Sequence, residues 1–328
     1  MADGTNIEWT DATWNPVTGC TVVSAGCTNC YAMKLAGTRL KHTASREGLM
    51  IDTKAGPVWN GTVRLNEEWL DQPLRWKRPR TIFVCAHGDL FHESVPDAWI
   101  DRVFAVMALS PQHRFQVLTK RADRMRSYIA AKQRNAPEWV SLGDGSKTVL
   151  PYEGGYPANV WLGVSVENQA AADERIPNLL ATPAAVRFLS CEPLLGPVYL
   201  RNFLRPFSAW REEDQHSWPI EHEGAIDWVI VGGENGPRPM HPDWARALRD
   251  QCASAGVPFF FKQWGEFAPE GLCGEKWIIG ADGTHHATPT PNGIAHHPPR
   301  GGSAFVYRVG KRRAGRLLDG VQHDGMPA

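Results

Sequence analysis

Seven short apolar runs, each breaking off into polar residues, constrain this chain more than any other feature of its sequence. They are Asn6 to Val17, Thr81 to Cys85, Phe115 to Leu118, Val160 to Val164, Val186 to Leu189, Trp228 to Val231 and Val257 to Phe261. β-Branched and aromatic residues dominate them, which suits strands. Their nearly unbroken apolar character suits strands covered on both faces. Helical patterns fall between them. Pro96 to Ala108 carries Trp99, Ile100, Val103, Phe104 and Met107 at helical spacing, and Pro242 to Ala255 sets Trp244, Leu248 and Cys252 on one face, with Gly256 as a stop. Arg121 to Gln133 and Asn168 to Leu180 are weaker patterns, the second interrupted by Pro177. This alternation predicts parallel βαβ units. Seven of them predict an α/β fold with a complete or partial (β/α) barrel of TIM-barrel type, a doubly wound open sheet being the alternative.

Both architectures place ligands beyond the carboxyl ends of the strands. The polar residues found there nominate the site: His87 and Asp89 after the second run, Lys120 and Arg121 after the third, and Ser165, Glu167 and Asn168 after the fourth. Ser190 and Glu192 follow the fifth run, Glu234 the sixth and Lys262 the seventh. Each also has a purely structural reading. Glu192 before Pro193 caps a helix, Arg121 and Lys262 form ion pairs, and Cys85, Cys191 and Cys252 are packed thiols.

The loop after the first run is chemically the densest stretch. Cys20, Cys27 and Cys30 fall within eleven residues, Gly19 and Gly26 each stand before a cysteine, and Tyr31 opens a helical pattern. A loop of this kind presents several thiolates to one metal centre. Three readings stay open at this point. An iron–sulfur cluster held by three thiolates keeps one iron open. Structural zinc wants a fourth ligand, for which His42, Cys85 and His87 are the candidates. A disulfide framework belongs to short secreted chains, whereas this chain has 328 residues and an odd total of seven cysteines.

Lys and Arg together number 35, as do Asp and Glu, so no bulk charge draws the chain to nucleic acid or to an anionic membrane. Locally basic stretches do occur, at Arg75 to Arg80 around Trp76 and at Lys311 to Arg316. No apolar stretch approaches membrane-spanning length, and no basic region followed by an apolar run opens the sequence, so a cytoplasmic protein with reduced thiols is expected. The barrel is expected over 1–264, with insertions near 135–158 and 201–224 and a loop-rich C-terminal extension over 265–328. The histidines of that extension (His285, His286, His296, His297 and His323) show no ligand spacing and are read as solvated loop.

The blocks TWNPVTGCTVVSAGCTNCYA, DLFHESVP, LGVSVENQ, LSCEPLLG, VIVGGENGPRPMHPDW and VPFFFKQWG resemble the phage-associated three-Cys-motif family of unknown function, over nearly the whole chain. That family looks like a divergent branch of the radical S-adenosylmethionine (SAM) enzymes. The resemblance implies a 4Fe–4S cluster held by Cys20, Cys27 and Cys30, with SAM on its open iron and an electron donor as partner. Two differences stand out. Cys20 and Cys27 are separated by six residues where radical-SAM enzymes usually have three, and Gly232-Gly233-Glu234 follows the sixth run rather than the second. His87 and Asp89 then take the position of the SAM amine clamp. Ser165, Glu167, Asn168, Ser190, Glu192 and Glu234 complete the cofactor-binding set, and Lys120, Arg121 and Lys262 face an anionic substrate. A nucleotide or nucleic-acid base is the expected substrate class. The rival from another class is a non-catalytic, zinc-stabilised binding protein using the same cysteines.

Overall fold

The computed structural model describes residues 5, 7–134, 139–141, 147–149, 157–205, 224–269, 274–288 and 302–328. All seven apolar runs contain strands: β1 (Ala12–Trp14), β2 (Thr81–Val84), β3 (Arg114–Thr119), β4 (Val160–Ser165), β5 (Val186–Cys191), β6 (Trp228–Gly232) and β7 (Phe259–Gln263). Their ladder order follows the chain with no reversal. That succession is the winding of a partial (β/α) barrel, not of a doubly wound sheet. The helices that matter for the site are α1 (Tyr31–Gly37), α2 (Asp97–Ala108), α3 (Ala122–Arg134), α4 (Gln169–Leu180, with Pro177 inside) and α5 (Pro242–Ala255). No described helix is long and apolar enough to cross a membrane.

Contacts divide the chain into two compact units, Met1–Val164 with Asn178–Arg187, and Ser165–Pro177 with Phe188–Ala328. In the first, β1 pairs with β2, β2 with β3 and β3 with β4, all parallel. Thr13 lies opposite Phe83, Thr81 opposite Arg114, and Val164 opposite Thr119. Every residue of β4 is buried, as the unbroken apolar run requires. Trp14 is wholly buried and its indole N–H donates to the Trp69 carbonyl at 2.8 Å, so a large ring enters the core without an orphaned donor. A smaller apolar cluster of Ala32, Met33, Ala36, Leu49 and Trp59 joins α1 to the hairpin Met50–Thr53/Gly56–Trp59, and Cys20 and Cys30 pack against it.

In the second unit β5, β6 and β7 are parallel neighbours, with Phe188 opposite Trp228 and Val231 opposite Phe261. Helix α5 starts where its sequence says it should. His241 Nδ1 accepts from the Asp243 amide at 3.1 Å, Pro242 occupies the first turn, and Gly256 ends the helix at φ +69°. Such a cap contributes about 1 kcal/mol.

The extension is more ordered than its sequence suggests. Phe267–Ala268, Glu275–Ile279, His285–Ala287 and Ala304–Arg308 form a four-stranded antiparallel sheet. His285 and His286 sit exposed on one of these strands, whereas His296 and His297 lie outside the described residues. In the insertion near 135–158, Trp139–Ser141 pairs with Lys147–Val149. Of the insertion near 201–224, only 201–205 and 224 are described.

Candidate metal centre and active site

The cysteine loop is pinned by close backbone approaches. Gly19 has φ +98°, and a Cβ there would stand 2.1 Å from the Thr62 carbonyl oxygen, so no other residue fits. Gly19 also bridges Gly88, where a Cβ would come within 2.9 Å of the Val17 carbonyl. The loops that follow β1 and β2 are thereby pressed together. Beyond Cys20 the chain makes a 3-10 turn (Ala25–Cys27) and enters α1 with Cys30 at its N-cap. The Tyr31 hydroxyl donates to the Ala86 carbonyl at 2.7 Å, and its ring meets His87 edge-on. Cys20, Cys27 and Cys30 are free and half-buried, whereas Cys85, Cys191 and Cys252 are fully buried packed thiols.

Arg121 organises the loop. Its guanidinium, 5% exposed, donates from Nη1 to Asp89 Oδ2 at 3.0 Å and to Cys20 Sγ at 3.7 Å. Nη2 donates to Thr21 Oγ1 at 2.5 Å and Nε to Glu93 Oε1 at 2.8 Å. Burial works against the charge of Arg121, but Asp89, Cys20 and Glu93 outweigh it and raise its pKa. Asp89 also accepts from the Thr119 hydroxyl at 2.8 Å and from the amides of Phe91 and Lys120 at 3.0 and 3.3 Å. A carboxylate with four donors is a fixed anchor. His92 Nδ1 accepts from the Ser94 amide, so its neutral ring carries the proton on Nε2 and donates to Thr21 Oγ1 at 3.1 Å.

Burial pushes the Cys20 thiol up to about 12, with Asp89 adding to the shift and Arg121 opposing it. Burial likewise raises Cys30, against the amides of Met33 and Ala32 and the charge of Lys120. Burial, with Arg46 adding to it, lowers His87 to about 4, and its buried Nδ1 has no hydrogen-bond partner among the described residues.

These donors suit a soft metal in kind: three free thiols on one loop, Cys20 and Cys30 both sensing Cys27. They are not gathered as a closed set. Among the described residues no three His, Cys, Asp or Glu side chains stand close enough to hold a metal ion. The Cys20 thiol instead donates to the Thr21 carbonyl, and the Cys27 sulfur lies 3.8 Å from the Ser24 hydroxyl.

The second unit carries the other nominated residues, most of them already engaged. Glu192 and Lys262 are each other's partner at 2.7 Å, and Gln263 Nε2 donates to Glu192 at 2.6 Å. Glu167 forms a buried ion pair with Arg175 at 2.9 Å, while Arg175 also donates to the Ser165 carbonyl. Asn168 Oδ1 accepts from the Ala171 amide at the start of α4, which is a cap. Ser190 is buried and its carbonyl accepts from the Val166 amide. Glu234 pairs with Arg238. Gly233 before it and Gly265 serve packing: a Cβ on Gly233 would stand 2.0 Å from the Trp264 carbonyl oxygen, and one on Gly265 2.1 Å from that of Glu234.

The family described as "Protein of unknown function (DUF5131)" matches residues 4–327. The chain belongs to that family. No curated protein and no solved structure matches it.

Membership of DUF5131 assigns no chemistry, so roles in this chain rest on its own geometry. Cys20, Asp89 and Arg121 are brought into one network, and Lys120 reaches it through its amide and its charge. Sequence reasoning missed Thr21, His92 and Glu93. His92 and Glu93 sit in the DLFHES block beside Asp89, so polar density at that strand end was the available signal. Nothing in the spacing said that Thr21 would join His92 to Arg121.

Proposed function

We propose that this chain is a radical-SAM-like iron–sulfur enzyme acting on a nucleotide or a nucleic-acid base. The observation that carries the reading is three free, half-buried cysteines on the loop beyond the first parallel strand, beside the buried Arg121–Asp89 pair. Cys20, Cys27 and Cys30 would hold a 4Fe–4S cluster, which when bound supplies an open iron for SAM and, with one electron from a donor, its cleavage to a 5′-deoxyadenosyl radical.

The chain's own residues bind and orient. Arg121 would moderate the charge of a thiolate formed at Cys20, and Lys120 that of one formed at Cys30. Asp89, fully subscribed, holds Arg121 in place. His87, with an unpartnered Nδ1, is the better acceptor for an amine. Ser165, Glu167, Asn168, Ser190, Glu192 and Glu234 remain the further candidates for SAM, and Lys262 for an anionic substrate. Of these, the Glu192–Lys262 pair offers both a carboxylate and an ammonium to a ligand.

A second reading, a zinc-stabilised binding protein, is favoured by the packing of Cys20 and Cys30 against a small apolar cluster, as in a structural knuckle. Anaerobic reconstitution with iron and sulfide separates the two. A brown protein that releases 5′-deoxyadenosine from SAM on reduction supports the enzyme. A colourless protein with stoichiometric zinc supports the knuckle.

A further inference from the structure

A groove of about 530 Å³ opens in the first unit at the amino-terminal ends of its strands, away from the cysteine loop. Asp11 precedes β1, Arg80 precedes β2, Arg114 opens β3 and Asn159 precedes β4; all four line it, with Gln112 and His113. Two arginines at the starts of adjacent paired strands therefore line one cavity, and each has a tryptophan ring close to its guanidinium. The Arg80 guanidinium stands 4.8 Å from the Trp76 ring centroid and that of Arg114 4.4 Å from the Trp161 centroid. The face of a tryptophan attracts a guanidinium and fixes its place, while the N–H donors stay available to other groups.

Among the described residues no carboxylate or carbonyl accepts from the Arg114 guanidinium. Asp11, the one carboxylate among the described lining residues, already accepts from the Thr81 amide at 2.7 Å. Lys77 and Arg78 are exposed beside the groove, so this edge is strongly basic in a chain of zero formal net charge. His113 forms part of the wall: it is 1% exposed, and its Nε2 faces the Pro73 carbonyl at 3.1 Å and so carries the proton.

We propose that this groove binds the phosphate of a nucleotide, free or within a single strand. The Arg114 fork, placed by Trp161 and seconded by Arg80, meets the phosphate oxygens. Anionic groups matched by planar forks are the strongest of the ordinary hydrogen-bonding pairs. The proposal does not rest on the chemistry assigned to the cysteine loop.

The test uses the full metal-free chain, with AMP, inorganic pyrophosphate and a fluorescein-labelled oligothymidylate as probes, followed by calorimetry and anisotropy. Saturable binding is expected, weakened about tenfold or more by Arg114→Ala and less by Arg114→Lys, which keeps charge without the fork. Asp11→Asn should tighten binding. An oligonucleotide that binds more tightly than AMP, with a steep salt dependence, assigns the site to a polynucleotide. AMP binding as tightly as the oligonucleotide assigns it to a free nucleotide. No saturable binding of any probe overturns the proposal, as does affinity unchanged in both Arg114→Ala and Arg80→Ala. Near-ultraviolet circular dichroism of each variant separates lost binding from lost fold, and Arg78→Glu, outside the stacks, supplies a further variant expected to weaken binding.

Discussion

Arg121 stands between Asp89 and Cys20, donating from one nitrogen to the carboxylate at 3.0 Å and to the sulfur at 3.7 Å. The contact ties a residue at the end of the third strand to the loop after the first, 101 positions away in sequence. A cation held this way moderates the charge of any thiolate formed at Cys20. Its own burial is tolerable because Asp89, itself buried, accompanies it.

Asp89→Asn removes that accompaniment. Arg121 then keeps only the exposed Glu93 carboxylate at 2.8 Å, and a buried guanidinium stripped of its buried partner costs up to about 3 kcal/mol, so the variant should unfold at lower denaturant. Cys20, relieved of the Asp89 charge, should at the same time be alkylated faster at mildly alkaline pH. Mass spectrometry of the labelled peptide reads the second effect. Unchanged stability and unchanged labelling together would show that the pair does not organise the loop.

Gly19→Ala places a methyl 2.1 Å from the Thr62 carbonyl oxygen at a φ of +98°. The loops must separate to admit it, at a cost of roughly 1–3 kcal/mol for the backbone alone. Gly48→Ala, also at positive φ but with open space around the added methyl, should cost less. Comparing the two by urea denaturation isolates the steric contribution.

Seven strands and their barrel-type succession were legible because each strand is a short apolar run ended by polar residues. Helix α5 was legible from Pro242 and Gly256. The small C-terminal sheet was not, since Glu275–Ile279 and Ala304–Arg308 are separated by a long Gly-, Pro- and His-rich stretch and pair only through tertiary structure. At the site, the cysteines and the strand-end positions could be read directly. Partnership could not: Glu192 and Lys262 are 70 positions apart, and nothing local says that they neutralise each other. The groove at the opposite strand ends escaped because Arg80 and Arg114 belong to different βα units and look like ordinary surface charges.

Acidification should destabilise the fold through His87. Its folded pKa is about 4 against an ordinary 6.5, chiefly from burial. As pH falls below about 6.5 the unfolded chain takes up this proton first, so stability falls through that window and levels off near the folded value. The slope approaches about 1.4 kcal/mol per pH unit for one such group. His87→Gln should flatten the dependence between pH 6 and pH 4 (roughly the span of the shift). An identical pH profile in the variant would assign the acid sensitivity elsewhere.

The most direct measurement is iron K-edge X-ray absorption, with metal analysis, on anaerobically reconstituted protein and on its Cys20→Ala, Cys27→Ala and Cys30→Ala variants. The account predicts about four irons per chain with the sulfur scattering of a thiolate-held cluster, lost in each single variant. Iron that fails to bind, with the three thiols labelled as fast after reconstitution as before, would contradict it.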